Sequence, residues 1–410
     1  MNTETAPEVP LRPLTSVQQA MIALAMVAMG AGMMINFVVV APLAREAGLS
    51  EIEVAGILTL SAAIYALMIP RWGEWANQYG RKRIMVFSLA AMGLTNMAFL
   101  LALDAALAGV LTGSTMFFTL VFVRVWFGLL SPGLQPASMA AMTDATTATT
   151  RASGLGMIGA AMSFGSILGP ASAALLAEFG ALVPLWGTII FNLFCAVVLA
   201  FVLPPTQKRE RTSQRPKPLA IRDPRVFPHL LFLFIYFVGV GMIQQTLGWF
   251  LEDRYSLGRE DAVRYAGIAF SCLAVMMIVV QFGYIQPRKP DPRRMLPIGL
   301  ALVGIGYICA DVFHPFWAVS ISFLIVGIGA ALTVPSANAL GSLSVARQEQ
   351  GSAAALLSMA PPSGFVFGPL IGAALYQLAP ALPMILSATL MIVLAAYAYF
   401  VTARRPLTPN

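Results

Sequence analysis

The sequence predicts an all-α integral membrane fold, with twelve transmembrane helices in two pseudo-symmetric six-helix bundles. Three observations lead there. Of the 410 residues, 58% are hydrophobic and only 10% charged, whereas soluble globular chains run near 45–50% apolar and about 25% charged. The charges cluster between apolar runs of roughly 20 residues, long enough to cross a bilayer. A block of sequence also recurs. GLLSPGLQPASMAA from Gly128 resembles GIGAALTVPSANAL from Gly327, and Pro136/Pro335 and Gly169-Pro170/Gly368-Pro369 keep the same offset of 199 residues without a gap.

The elements follow in order. A polar, Pro-containing tail (1–17) lacks the charged start and short apolar core of a cleaved signal peptide. The first bundle (18–203) holds spans at 18–42, 53–71, 84–103, 112–142, 152–176 and 183–203. Segment 204–227, PPTQKRERTSQRPKPLAIRDPRVF, is the longest polar stretch and reads as a linker. Its basic run is either simply solvated or touches anionic lipid headgroups. The second bundle (228–403) holds spans at 228–251, 263–286, 295–311, 316–342, 351–377 and 382–403, and a short tail (404–410) closes the chain. Ser50-x-x-Glu53 has the form of a capping box at the start of span two. Cys195, Cys272 and Cys309 all fall in spans, as small apolar fillers rather than a disulfide set.

Lys and Arg set the expected orientation. The 25 basic residues lie on the side of the termini and linker except Arg45, Arg254, Arg259 and Arg264 on the other side, and Arg124 inside span four. Both termini are therefore expected in the cytoplasm of a multi-pass protein of the cell membrane. The same rule accounts for the net charge of +7, so nucleic-acid binding is not called on.

Gly165, Gly169 and Ala173 are four residues apart in span five, and Gly364, Gly368 and Gly372 repeat the file in span eleven. Small residues at this spacing let membrane helices approach closely. Pro170 and Pro369 each remove a backbone hydrogen bond, to the carbonyls of Ser166 and Phe365, and favour a bend. Matched files of this kind suit an interface that rocks; ordinary small-residue packing is the other reading. A parallel six-span repeat is a signature of one large class of secondary transporters.

On these residues the chain resembles the major facilitator superfamily, and within it the twelve-span drug–proton antiporters. The span-five motif G-x(8)-G-x(3)-G-P is matched by Gly156, Gly165, Gly169 and Pro170, with Ala173 and Ala174 in place of two further glycines. GEWANQYGRKR is similar to the loop motif G-x-L-A-D-R-x-G-R-K through Gly73, Ala76, Gly80, Arg81 and Lys82, with Asn77 where the family has Asp. LVFVRVWFG is similar to L-x-x-x-R-x-x-Q-G through Leu120, Arg124 and Gly128, with Phe127 in place of Gln. The resemblance implies the family fold and alternating access. The span-five motif implies export, the motif arginine implies proton coupling through Arg124, and an acid at Asp144 is implied to pair with Arg81 at the cytoplasmic gate.

Arg124 is also singled out bottom-up. It sits about ten residues, or roughly 15 Å, from the outer end of span four, and an ionisable group at that depth defaults to function. The alternative is that it snorkels or pins carbonyls. No carboxylate lies clearly at mid-depth, and Glu252 and Asp253, just past span seven, are the remaining acid candidates. Polar and aromatic residues that suit the wall of a central solute cavity are Asn36, Tyr65, Gln135, Gln244, Gln245, Trp249, Gln281, Asn338 and Tyr376.

The function expected is secondary active transport, a proton-driven export of amphiphilic small organic molecules. The alternatives are an uptake carrier or facilitator for one metabolite, and a non-transporting membrane sensor. His229 and His314 lie at opposite faces and no phosphate-binding P-loop is present, so neither an enzyme nor ATP-driven transport is expected. No cofactor or metal is expected. The expected partners are a small-molecule solute, the proton and the bilayer, and the chain is expected to act as a monomer.

Overall fold

The computed structural model describes residues 14–146, 151–204, 219–313, 316–346 and 349–403. Most of the expected N-terminal tail and linker, the whole C-terminal tail, His314 and Arg347 lie outside the described residues. The helices are α1 (Ser16–Glu46), α2 (Glu51–Tyr79), α3 (Arg81–Leu107), α4 (Gly113–Leu130), α5 (Leu134–Asp144), α6 (Arg151–Leu176), α7 (Val183–Val202), α8 (Phe227–Tyr255), α9 (Arg259–Val280), α10 (Gln286–Arg288), α11 (Pro292–Val312), α12 (Phe316–Leu343), α13 (Gln350–Leu357), α14 (Ala360–Leu378) and α15 (Leu382–Ala403). A strand is absent among the described residues. Eleven helical stretches there are long and apolar enough to cross a membrane. The broken pair α13–α14 supplies the remaining expected span. Below, the near face is the one where α1 begins and the far face the one where it ends.

Two expected spans are not continuous. Span four divides into α4 and α5 around Ser131-Pro132-Gly133, and span eleven into α13 and α14 just ahead of Pro361-Pro362. Proline cannot donate to the helix ladder and pushes the preceding residue out of helical geometry. Gly133 also has no room for a side chain, since a Cβ there would come within 2.5 Å of Ser88 Oγ and 2.7 Å of Trp72. By contrast α6 and α14 continue without a break across Pro170 and Pro369. Next to Pro170, Ser172 Oγ donates to the Gly169 carbonyl at 2.8 Å, an example of a hydroxyl taking up backbone capacity near a proline.

The loop expected at 72–83 shrinks to one residue. α2 runs to Tyr79, α3 starts at Arg81, and Gly80 between them has φ +97°, a conformation open to glycine. At the far face the expected capping box is formed. Ser50 N and Oγ donate to Glu53 Oε2 at 2.8 and 2.7 Å, and Glu53 N donates back to Ser50 Oγ at 3.4 Å.

By contact the chain forms two compact units. The first comprises Met1–Asn36, Ala63–Ser172 and Leu182–Arg211; the second comprises Phe37–Ala62, Ala173–Ala181 and Thr212–Asn410. Within the first, Ile22, Met26, Met85, Leu89, Leu134 and Met142 form a buried core shared by α1, α3 and α5. Within the second, α11 closes on α12 at Gly299 and Gly329, where an added Cβ would meet backbone at 2.7 and 2.6 Å. The far ends of α1 and α2 group with the second unit because they bond to α8 and α14, as described next.

Candidate functional site

Four constellations carry the chemistry. In the first unit Arg124, on α4, is 3% exposed. Its Nη2 donates to Asn36 Oδ1 on α1 at 2.7 Å, and Nη1 stands 3.5 Å from Asn96 Oδ1 on α3. The guanidinium carbon lies 3.8 Å over the Phe99 ring. Asn36 is itself held by its Nδ2, which donates to the Gly32 carbonyl at 2.7 Å. The site thus meets a cation with neutral oxygens and a ring face, a geometry that suits a planar guanidinium. Tyr65 stacks on Phe127, centroids 6.1 Å apart, beside this group. Asn96 and Phe99 were not picked from sequence, since a lone amide and ring on span three carry no distinguishing pattern.

At the near face of the same unit, Arg81 Nε and Nη2 both reach Asp144 Oδ2, at 3.1 and 3.0 Å. Arg81 also donates to Asn77 Oδ1 near the end of α2. Gly73 lies against Pro136, with room for a Cβ at 3.7 Å. Arg81 is 6% exposed, so this pair is worth more than a surface ion pair. A double-mutant cycle of Arg81→Ala and Asp144→Ala, read by thermal melting and by flux, is expected to give a coupling of about 1–3 kcal/mol. Additive losses would mean that the pair carries nothing.

The glycine files are packed tightly, each against a helix of its own half of the chain. Gly165 backs onto Val27 and Gly169 onto Ala31 of α1; Gly364 backs onto Phe237, Gly368 onto Val238 and Gly241, and Gly372 onto Met242 of α8. At these places α6 on α1 and α14 on α8 come close enough that two backbones nearly touch, as α12 and α9 also do at Gly327 and Leu273. Gly156, from the same motif, has nothing within 4 Å of an added Cβ.

In the second unit the far ends of four helices meet at Arg45 of α1. Its Nε lies 3.3 Å from Glu51 of α2, and its Nη1 lies 2.7 Å from Asp253 Oδ1 and 3.8 Å from Glu252 of α8. The Tyr376 hydroxyl of α14 donates to Asp253 Oδ2 at 2.7 Å, and Gln377 donates to Glu51 at 3.2 Å. One turn inward, Trp249 Nε1 donates to the Ala41 carbonyl at 2.8 Å, and its ring lies 5.6 Å from that of Tyr376. Gly248 lets α8 pass Pro42 of α1, where a Cβ would come within 2.9 Å. Glu252 and Asp253 thus serve as ion-pair partners at a helix end. Arg45→Ala is expected to loosen this end, measured as faster maleimide labelling of a cysteine placed at Ala41. The exchange Arg45→Asp with Asp253→Arg is expected to slow it again, and an unchanged rate in Arg45→Ala would count against the closure.

The other cavity candidates separate. Asn36 and Tyr65 lie with Arg124, whereas Gln244, Gln245, Trp249 and Tyr376 lie in the second unit. Trp249 and Tyr376 are 0% and 4% exposed, so they belong to a packed seam rather than an open wall. Gln135 is half-buried at the start of α5. Gln281 begins a π-helical turn, Gln281–Ile285, at the near end of α9. Asn338 is exposed and donates to its own Val334 carbonyl at 3.0 Å. Gln245 is fully buried, and its Oε1 and Nε2 have no hydrogen-bond partner among the described residues. An amide left that way costs about 1–3 kcal/mol.

A further ion cluster lies at the near face of the second unit. Arg225 donates to Glu349 Oε2 at 2.8 Å and to Asp223 Oδ2 at 2.9 Å. Its hydrogen bonds hold both carboxyls below the usual carboxylate range. For a lowered carboxylate the stabilisation is present at neutral pH and is lost as pH falls through the folded value. Acidification below about pH 4 is therefore expected to lower the protection factor against amide exchange at residues 223–229, measured relative to the intrinsic rate at each pH, and in Arg225→Ala that factor is expected not to change further with acid.

The sequence profile described as Major Facilitator Superfamily matches residues 21–292 and 282–410. The chain belongs to the major facilitator superfamily. It is 25% identical over 349 residues to multidrug resistance protein 2 of Bacillus subtilis, covering 82% of this chain and 84% of that protein. It is likewise 25% identical over 341 residues to the class E tetracycline resistance protein of Escherichia coli, covering 78% of each. Among solved structures it superposes on a bacterial homologue of the human lysosomal transporter Spinster, in an inward-facing and occupied conformation. The TM-score is 0.74 at 16% identity, over 98% of both chains. A nucleoside transporter gives 0.70 at 10% identity, over 94% of this chain and 99% of that one. These likenesses show the fold, and membership makes this superfamily protein a multi-pass membrane transporter rather than an enzyme.

Proposed function

We propose that this protein is a proton-driven exporter of amphiphilic small organic molecules, working by alternating access in the cell membrane with both termini cytoplasmic. The observation that carries the reading is the closure around Arg45. It joins α1 and α2, from the first half of the sequence, to α8 and α14, from the second, through charges that water can replace. Bonds of that kind can break and reform in each cycle. Export is supported by the span-five motif and by the multidrug and tetracycline resistance relatives. Proton coupling is supported by Arg124, the one charge deep within a span. The Lys/Arg bias makes the far face the outer one, so the Arg45 cluster is an outer gate and the Arg81–Asp144 pair an inner one.

Flux of a panel of lipophilic dyes and antibiotics in proteoliposomes, with and without an imposed pH gradient, tests the reading. Accumulation that follows the gradient and collapses with a protonophore is expected. Flux unaffected by the gradient would remove proton coupling, and uptake of a single polar metabolite in place of the panel would remove the exporter.

A further inference from the structure

We infer that Gln245 is the polar anchor of the solute site, and that it selects uncharged aromatic solutes carrying a hydrogen-bond donor next to an acceptor, such as a carboxamide or lactam edge. The inference rests on the reading of the protein as a solute transporter and names the class of solute.

The position of Gln245 follows from the α8 file to which it belongs. Phe237, Gly241, Gln245 and Trp249 are spaced four apart, so they lie along one helix face. Each neighbour in that file has a defined contact. Phe237 and Gly241 meet α14 at Gly364, Phe365 and Gly368, and Trp249 bonds to α1 and stacks near Tyr376. Gln245 is therefore set where α8 faces α14 and α1. Two nearby polar groups, Thr246 and Tyr376, are satisfied within the protein. Thr246 Oγ donates to the Met242 carbonyl at 2.9 Å, and Tyr376 to Asp253. Gln245 differs, since neither end of its amide finds a partner although it is 0% exposed. Apolar residues of similar volume would fill the same place without that penalty.

The surroundings give the rest of the chemistry. Toward the near face lies an aromatic group, with Phe365 centred 5.8 Å from both Phe37 and Phe237. These three rings are only half-buried, while Gln245 and Trp249 beyond them are sealed. Aromatic rings beside a few polar groups are the residue types that line small-molecule sites. A side-chain amide offers an acceptor and a donor about two bonds apart and carries no charge. Its match is another edge of the same kind, which returns both hydrogen bonds at once. A solute lacking the donor leaves one end of Gln245 unpaired, and sites built around a hydrogen bond discriminate strongly against such analogues.

The test uses 2-naphthamide and 2-acetylnaphthalene, which differ in one NH2 against one CH3. Binding is measured by equilibrium dialysis against the full-length protein in nanodiscs, with empty nanodiscs subtracted. The amide is expected to bind at least tenfold more tightly than the ketone. Gln245→Leu, and the unbranched Gln245→Met in case leucine does not fold, are expected to erase that preference while melting no lower than the wild type. Equal binding of the two probes, binding of neither, or a preference that survives in the variants would overturn the inference. So would a lost preference accompanied by lower melting, since that marks a structural amide. Dialysis needs no gradient. A positive result here with failed dye export would remove the exporter reading and leave Gln245 standing, and the reverse pattern would do the opposite.

Discussion

Gly169→Leu is expected to prevent α1 and α6 from packing, and Gly368→Leu to do the same to α8 and α14. A Cβ at Gly169 would stand 2.6 Å from the Ala31 carbonyl oxygen and 3.0 Å from its Cα; at Gly368 it would stand 2.6 Å from the Val238 oxygen and 2.9 Å from the Gly241 Cα. These are backbone atoms, which cannot turn aside as a side chain tip can. Overpacking that costs about 1–3 kcal/mol in ordinary cores should reach the top of that range here. In a bilayer, close contact replaces the hydrophobic drive between helices, so little else compensates. The expected result is a sharp loss of monodisperse protein on size exclusion and a lowered melting point. Gly156→Leu, with open space around it, should leave both unchanged. Normal melting in Gly169→Leu and Gly368→Leu would show that the files are not the sites of approach.

Arg124→Leu is expected to fold and to lose gradient-driven flux by at least ~100-fold, about 2.7 kcal/mol in barrier. Removing a buried cation takes away a desolvation cost, so the melting point should hold or rise. Arg124→Lys should not restore transport. An ammonium cannot present one nitrogen to Asn36 while a planar face rests on Phe99. Asn36→Leu should reduce flux less, because Asn96 and the ring remain. Full flux in Arg124→Leu would assign the residue to structure alone.

Much of this architecture was legible in the sequence, for a physical reason. A lipid core demands long uninterrupted apolar helices, so span number and order can be read from hydropathy. The prolines marked where helices change, yet their effect depended on neighbours. Pro170 and Pro369 stay inside helices whose packing holds them, whereas Pro132 and Pro361-Pro362 end a helix. Arg124 was legible because a deep charge stands out against an apolar background, and Arg81 through the loop motif that contains it, with Asp144 as the partner the family resemblance implied. Asn96 and Phe99 were not, since they are ordinary residues given meaning by what they touch. The Arg45 cluster was hidden in the same way. Charges at helix ends are common, and Arg45, Glu51, Asp253 and Gln377 are brought together from four helices only by the fold.

The two interrupted helices bear on how the duplicated halves can flex. At the repeat offset, Pro132 has Ala331 as its counterpart, and Pro361 and Pro362 have Met162 and Ser163. Neither interruption is inherited by the other copy. The first half has its soft point in span four, and the second has its own in span eleven. Duplication has therefore preserved the joints that must stay tight, since the small-residue files match position for position with Ala173 opposite Gly372, and has let the helix breaks drift apart. A substitution that stiffens one copy has no mirror-image in the other. Moving the proline from Pro132 to the place of Ala331 would relocate a helix break rather than exchange equivalents.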